Sequence, residues 1–229
     1  YDIISQNYEV YNMSKLFLVR HAQSESNADP YVLTEKTNIS VHLTQTGVLQ
    51  AREAGLELAN YHRDTKESIK VWNSPYFRTR ETAHHIKTAL KQANISFDEE
   101  ESIYICERQF GLLDDNQESH ITHKKEYEHY KLHANSKHDF WARPPLGESP
   151  FDMCLRLDTF IRTILSEKHY DNHIIVSHGA AIRGFITMKQ KLSFEEYTSM
   201  PNPHNASIQL IDDTEFKGVV FTPKTRSLG

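Results

Sequence analysis

The sequence predicts an α/β fold, a three-layer α/β/α sandwich with a mostly parallel central sheet. Short apolar runs alternate along the chain with segments of helical periodicity, the pattern of parallel strands joined by covering helices. Several runs end on polar or charged side chains, and open α/β sheets carry their chemistry there, beyond the carboxyl ends of the strands. A length of 229 residues suits one such domain with a sizeable core.

Strands are expected at 16–19, 69–72, 103–106, 174–177 and 208–211, with 219–222 as an edge strand. Thr44 can cap a helix in which Val48, Ala51, Gly55 and Leu58 recur at three- and four-residue steps. A second amphipathic helix carries Cys154, Leu157, Ile161 and Ile164. Between them, residues 114–145 are polar, rich in aromatics and histidines, and closed by Pro144-Pro145, so they read as a partly helical, lid-like insertion over the sheet edge. Met13-Ser14-Lys15 reads as a native start just before the first strand. Residues 1–14 are then an N-terminal extension or a cloning remnant, and 15–229 a single domain.

A formal net charge of −5 argues against a nucleic-acid partner, which needs a basic face to neutralise phosphates. No apolar run approaches the ~18 residues of a membrane span, and the polar, acidic first dozen residues do not resemble a signal peptide. Cys106 and Cys154 both lie in apolar contexts, which favours buried free thiols over a disulfide and points to the cytoplasm.

The strand ends carry the chemistry. Leu16-Phe-Leu-Val-Arg20-His21 places an imidazole beside a guanidinium; such a histidine can attack phosphorus while the arginine holds phosphoryl oxygens. Ser74-Pro75 breaks the second run and puts Arg78 in the first turn of the following helix. The third run leads to Glu107, and the fourth to Ser177-His178-Gly179. Singly, these residues have plainer readings: a surface cation, its exposed carboxylate partner, a structural turn histidine. Jointly they supply a nucleophile, a phosphate clamp and a proton donor.

In this combination the chain resembles the histidine phosphatase superfamily, the phosphoglycerate mutase-like group. The family's Arg-His-Gly appears as Arg20-His21-Ala22, with Asn27 where an asparagine closes that loop. Its Leu-Thr-x-x-Gly helix start is Leu43-Thr44-Gln45-Thr46-Gly47, its Ser-Pro-x-x-Arg runs from Ser74 to Arg78, and its late His-Gly is His178-Gly179. The likeness extends from about residue 15 to about residue 211. It implies that His21 is a nucleophile forming a phosphohistidine, that Arg20, Asn27, Arg78 and His178 bind the phosphate of a small phosphorylated substrate, and that Glu107 is the general acid, with no metal or cofactor.

Three departures stand out. Ala22 replaces a glycine beside the phosphate, Gln23-Ser24-Glu25-Ser26 lacks the tryptophan the family often places there, and Gln109 replaces the mutases' histidine in Glu107-Arg108-Gln109-Phe110-Gly111. The last favours a phosphomonoesterase over a phosphoglycerate mutase-like phosphotransferase. A non-catalytic module that binds a phosphorylated ligand is the third alternative, disfavoured because a binder need not keep both a nucleophile and an acid. Glu148, in Gly147-Glu148-Ser149, either borders the substrate or is a solvated charge. Arg183 reads as a salt-bridge residue. The 14 histidines suggest a metal site at His120, His123, His129 and His133, but no His-Glu-x-x-His pattern occurs, and a solvated polar helix is the better reading.

Overall fold

The computed structural model describes residues 14–113, 123–134, 139–165 and 170–225. Among them six strands, β1 (Lys15–Arg20), β2 (Ile69–Asn73), β3 (Asp98–Glu101), β4 (Asn172–Ser177), β5 (Ile208–Asp212) and β6 (Glu215–Phe221), form one sheet in the order β3-β2-β4-β1-β5-β6. The first four strands in that order run parallel, β5 pairs antiparallel with β1, and β6 pairs antiparallel with β5. The helices are α1 (Glu25–Ala28), α2 (Gln45–His62), α3 (Phe77–Gln92), α4 (Lys124–Ala134), α5 (Pro150–Thr159), α6 (Gly179–Gln190) and α7 (Phe194–Ser199).

Side chains alternate across a strand, so the buried strands feed two cores at once. Phe17, Val19, Val71, Ile174 and Val176 pack with Ala51, Leu58, Ile86 and Leu90 of α2 and α3. Leu16, Leu18, Trp72 and Ile175 pack on the other face with Met153, Leu157, Ile182 and Phe185 of α5 and α6. This is the expected three-layer sandwich. Cys106 and Cys154 are buried and free, as the apolar contexts implied. No helix among the described residues is long and apolar enough to cross a membrane.

Residues 103–106 do not form the expected third strand. Ile103–Ile105 is a single 3-10 turn started by Ser102, whose side chain accepts from the Tyr104 N–H. The strand lies upstream at β3, four exposed acidic residues held by cations: Lys70 pairs with Glu100, Arg80 with Glu101 and Lys87 with Glu99. Charge pairing to Lys70 of β2 and to Arg80 and Lys87 of α3, rather than apolar burial, holds the side chains of this edge, and hydrophobic patterning does not register it. The last strand begins at Glu215, earlier than expected, because Asp213 adopts a left-handed φ of 55° and turns the chain back on β5. The helix through Cys154 and Leu157 continues from α5 into a wider π turn at Phe160–Leu165, and Ile161 and Ile164 pack on the same core.

Thr44 caps α2 by accepting from the Gly47 N–H at 3.0 Å. Gly47 is required there because a Cβ would lie 2.0 Å from the Gln23 carbonyl oxygen. The helix start and the loop after β1 thus touch backbone to backbone.

Burial brings one acid-sensitive group into the first core. His62 is 1% exposed against Phe17 and Tyr61, and neither ring nitrogen has a hydrogen-bond partner among the described residues. Burial holds its imidazole at about 4, from an ordinary 6.5, with Glu67 opposing and Lys15 assisting. The unfolded chain therefore takes up a proton that the folded chain refuses between those values. Stability is fully present above pH 6.5 and is lost as pH falls towards 4, by at most about 3 kcal/mol. Replacing His62→Phe should flatten urea-unfolding free energies over this window; an unchanged pH slope would show that His62 is already protonated in the folded state.

Candidate active site

The register of β1 on β4 pairs Arg20 with Ser177, so the next residues, His21 and His178, leave the sheet abreast. The His21 N–H donates to the Ser177 carbonyl at 2.8 Å, and the Ser74 N–H donates to the Val176 carbonyl at 3.2 Å, which brings the end of β2 alongside. The two imidazoles meet edge to face, with centroids 5.3 Å apart. Arg78 sits in the first turn of α3, 4% exposed, with its guanidinium over the Tyr76 ring and Nη1 donating to the Asn38 carbonyl at 2.5 Å. Arg20 donates from Nη1 to the Pro203 carbonyl at 2.6 Å, while its buried Nε has no partner among the described residues.

His21 Nδ1 lies 2.8 Å from the Ala22 carbonyl oxygen. A carbonyl only accepts, so Nδ1 carries the ring proton and Nε2 keeps its lone pair. Burial, then Arg78, then Arg20 push the His21 pKa well below its ordinary value, with the Ala22 hydrogen bond opposing. His178 is pushed down in the same direction by burial, Arg78, His21 and Arg20. Burial also weighs most against the Arg20 charge; Glu107 supports that charge, and Arg78 and Arg183 oppose it. The result is a pair of neutral imidazoles under the influence of two guanidiniums, a cluster whose charge suits a ligand that brings negative charge.

Polar side chains that no strand-end pattern marks hold this loop in place. Asn205 Nδ2 donates to the His21 carbonyl at 3.1 Å and to Asn27 Oδ1 at 3.0 Å. Asn27 Oδ1 also accepts from the Ser24 N–H at 3.2 Å, which leaves its amide NH2 as the end that can donate to a ligand. Thr82 Oγ1 accepts from the Ala22 N–H at 3.0 Å and donates to the Arg78 carbonyl at 2.7 Å, joining the nucleophile loop to the Arg78 turn. Glu81 holds the incoming chain through His42 and the Leu43 N–H. Asn205 and Thr82 are the residues the sequence reading did not single out. Asn205 acts only because the segment before β5 folds back over β1, with the Ala206 N–H on the Arg20 carbonyl.

Glu107 lies beyond the 3-10 turn instead of at a strand exit. Ser177 Oγ donates to the Ile105 carbonyl at 2.7 Å and ties that turn to β4. The half-exposed Glu107 carboxylate accepts from the Arg108 N–H at 2.9 Å. Behind it, Arg156 donates to the Tyr104 carbonyl at 2.6 Å and pairs with Glu148 at 2.8 Å. Glu148 is therefore a buttress of the Glu107 loop, its carboxylate held by Arg156 and by the Gln109 N–H rather than left as a solvated charge. Arg183 makes no salt bridge among the described residues; its guanidinium lies over the Tyr197 ring.

His129 and His133 share a face of α4 with ring centroids 4.9 Å apart, and His120 lies outside the described residues. No group of three or more His, Cys, Asp or Glu side chains able to hold a metal occurs among the described residues. Beside α4 lies a cavity of about 330 Å³ whose walls include Tyr130, Trp141 and Pro145 but none of the strand-end residues.

A family model described as the histidine phosphatase superfamily, branch 1, matches residues 16–222. A phosphoglycerate mutase-like protein of Arabidopsis thaliana is 30% identical over 212 residues, covering 86% of this chain and 64% of its own length, so the chain spans less than two thirds of that relative. A broad-range acid phosphatase of Saccharomyces cerevisiae is 24% identical over 285 residues, covering 86% of this chain and 84% of its own. The solved α-ribazole phosphatase of Shigella flexneri matches with a TM-score of 0.65 at 21% identity, over 86% of this chain and 90% of that one, a likeness of fold.

The electrostatics can be tested on the free protein. Removing the Arg78 charge should make His21 easier to protonate, so in Arg78→Ala the midpoint of an NMR titration of the His21 ring should move to higher pH. A midpoint that stays put would mean burial alone keeps the imidazole neutral.

Proposed function

The chain belongs to the histidine phosphatase superfamily, and we propose that it is a phosphomonoesterase that hydrolyses a small phosphorylated metabolite through a phosphohistidine on His21. The observation that carries this reading is the His21 Nδ1–H bond to the Ala22 carbonyl, which leaves a bare Nε2 between Arg20 and Arg78. A phosphoryl group entering there meets a nucleophilic lone pair and cations for its equatorial oxygens, the two requirements of in-line transfer.

In the first half-reaction Nε2 forms the bond to phosphorus as the ester oxygen leaves, and Glu107 gives its proton to that oxygen. Arg20, Arg78, His178 and Asn27 hold the oxygens of the transferring group. In the second, the Glu107 carboxylate takes a proton from water as the water oxygen attacks phosphorus; the N–P bond breaks and inorganic phosphate leaves. The lid-like role of residues 114–145 belongs to this reading: Arg108, next to the acid, donates to the Tyr130 hydroxyl of α4 at 3.0 Å and to the Ala142 carbonyl at 3.2 Å, which ties that segment to the Glu107 loop. Two buried free thiols suit a reducing, cytoplasmic compartment.

Hydrolysis is favoured over mutase chemistry because Gln109 stands where the mutases carry histidine, and its amide is engaged with the Tyr76 hydroxyl at 2.9 Å.

Acid-labile, alkali-stable label should appear on rapid quenching with labelled phosphomonoester, vanish in His21→Ala, and be followed by release of phosphate without added bisphosphoglycerate. Label retained by the variant would remove His21 as nucleophile, and interconversion of phosphoglycerates with little release would favour the mutase.

Glu107→Gln should slow single-turnover phosphorylation by an alkyl phosphate by roughly 10²- to 10⁴-fold while affecting p-nitrophenyl phosphate far less, since nitrophenolate leaves without a proton. Equal losses for the two esters would place the proton donor elsewhere.

A further inference from the structure

We propose that the Ser74 hydroxyl donates its proton to Nε2 of His178 and so fixes the tautomer in which His178 Nδ1–H faces the transferring phosphoryl group. The inference deepens the phosphomonoesterase reading and rests on it, and it makes Ser74 a positioning residue.

A neutral imidazole carries one ring proton, and only the Nδ1-protonated form lets His178 donate from Nδ1. The His178 side chain is fully buried, Nε2 lies 2.7 Å from Ser74 Oγ, and Nδ1 has no partner among the described residues. A buried polar atom without a partner costs stability unless a ligand completes it. The neighbouring His21 ring and the Arg20 and Arg78 charges that act on both imidazoles mark the ligand as an anion.

Which atom holds the hydrogen in the Ser74–His178 bond follows from what surrounds Ser74. A hydroxyl has one proton and two lone pairs. The Tyr76 N–H points at Ser74 Oγ at 3.4 Å and takes one lone pair. The Ser74 proton has two acceptors in reach, and the nearer is Nε2 of His178, at a 2.7 Å separation typical of an O–H donor and shorter than an N–H donor usually gives. The remaining acceptor for the Ser74 proton is Thr79 Oγ1, at the longer distance of 3.1 Å. Thr79 gives its own proton to the Ser74 or the Tyr76 carbonyl, 2.8 and 2.7 Å away, so it does not donate to Ser74 Oγ. The short contact to Nε2 therefore takes the proton, and Nδ1 keeps its own. The serine that opens Ser74-Pro75-Tyr76-Phe77-Arg78 thus does for His178 what the Ala22 carbonyl does for His21, but in the opposite sense: one imidazole is left a bare nitrogen to attack, the other an N–H to donate.

The experiment reads the tautomer directly in the ligand-free full chain, by long-range nitrogen–proton NMR correlations of the imidazoles, with the His178 signals assigned by their loss in His178→Gln. Wild type should show Nδ1 protonated. Ser74→Ala should lose that preference and weaken vanadate binding by roughly 10- to 100-fold, the size of a lost hydrogen bond to a charged group, and Ser74→Thr should restore both. A wild-type His178 protonated on Nε2 overturns the proposal even if neither variant folds. So does a folded Ser74→Ala that keeps the Nδ1–H tautomer and the vanadate affinity. A chain with the expected tautomer and vanadate affinity but no phosphate release would overturn the hydrolase reading and leave the Ser74 assignment standing. Phosphohistidine formation with the wrong tautomer would do the reverse.

Discussion

The parallel register of β1 on β4 governs the catalytic edge, because it makes Arg20 and Ser177 neighbours and sends His21 and His178 out of the sheet together. Both strands are buried on two faces, with Leu16 and Leu18 in one core and Phe17 and Val19 in the other, so a slip of one residue would exchange the two sets. The register is therefore enforced by packing far from the site. The His21 N–H bond to the Ser177 carbonyl continues the ladder one step beyond β1 and carries that precision to His21.

A second constraint is electrostatic. Arg20 and Arg78 sit close enough to act on both imidazoles, and burial removes the water that would screen them. Protonating either histidine would add a third positive charge to this pocket, so the cations that would bind a phosphoryl group also keep His21 available as a nucleophile. Glu107 is the acidic group that supports the Arg20 charge. The guanidiniums rest on carbonyls, Pro203 for Arg20 and Asn38 for Arg78, which accept a hydrogen bond without neutralising the charge.

Around this centre the chain uses neutral side chains as struts. Asn205, Thr82 and Ser177 each link two segments distant in sequence, and Arg156 with Glu148 braces the loop that carries Glu107. Gly47 and Gly179 mark close approaches to the same loops: a Cβ at 179 would lie 2.3 Å from Asn202 Oδ1.

The sequence by itself determined the layers, the two-faced apolar strands and the arrival of Arg20, His21, Arg78 and His178 at one edge, since period-two burial and strand-end polarity are local properties of the chain. It misplaced the strand before Glu107, because β3 is held by ion pairs to Lys70, Lys87 and Arg80, which have no apolar signature. The bracing role of Glu148 and the clamp made by Asn205 could not be read: one arises only when Arg156 of α5 meets the carboxylate, the other only when the chain before β5 crosses β1. Tautomers also lie beyond the sequence, since they depend on which acceptor or donor the fold sets beside each ring nitrogen, the Ala22 carbonyl for His21 and the Ser74 hydroxyl for His178. Residue type supplied the reactive groups, and three-dimensional contact decided which of their atoms carry the protons.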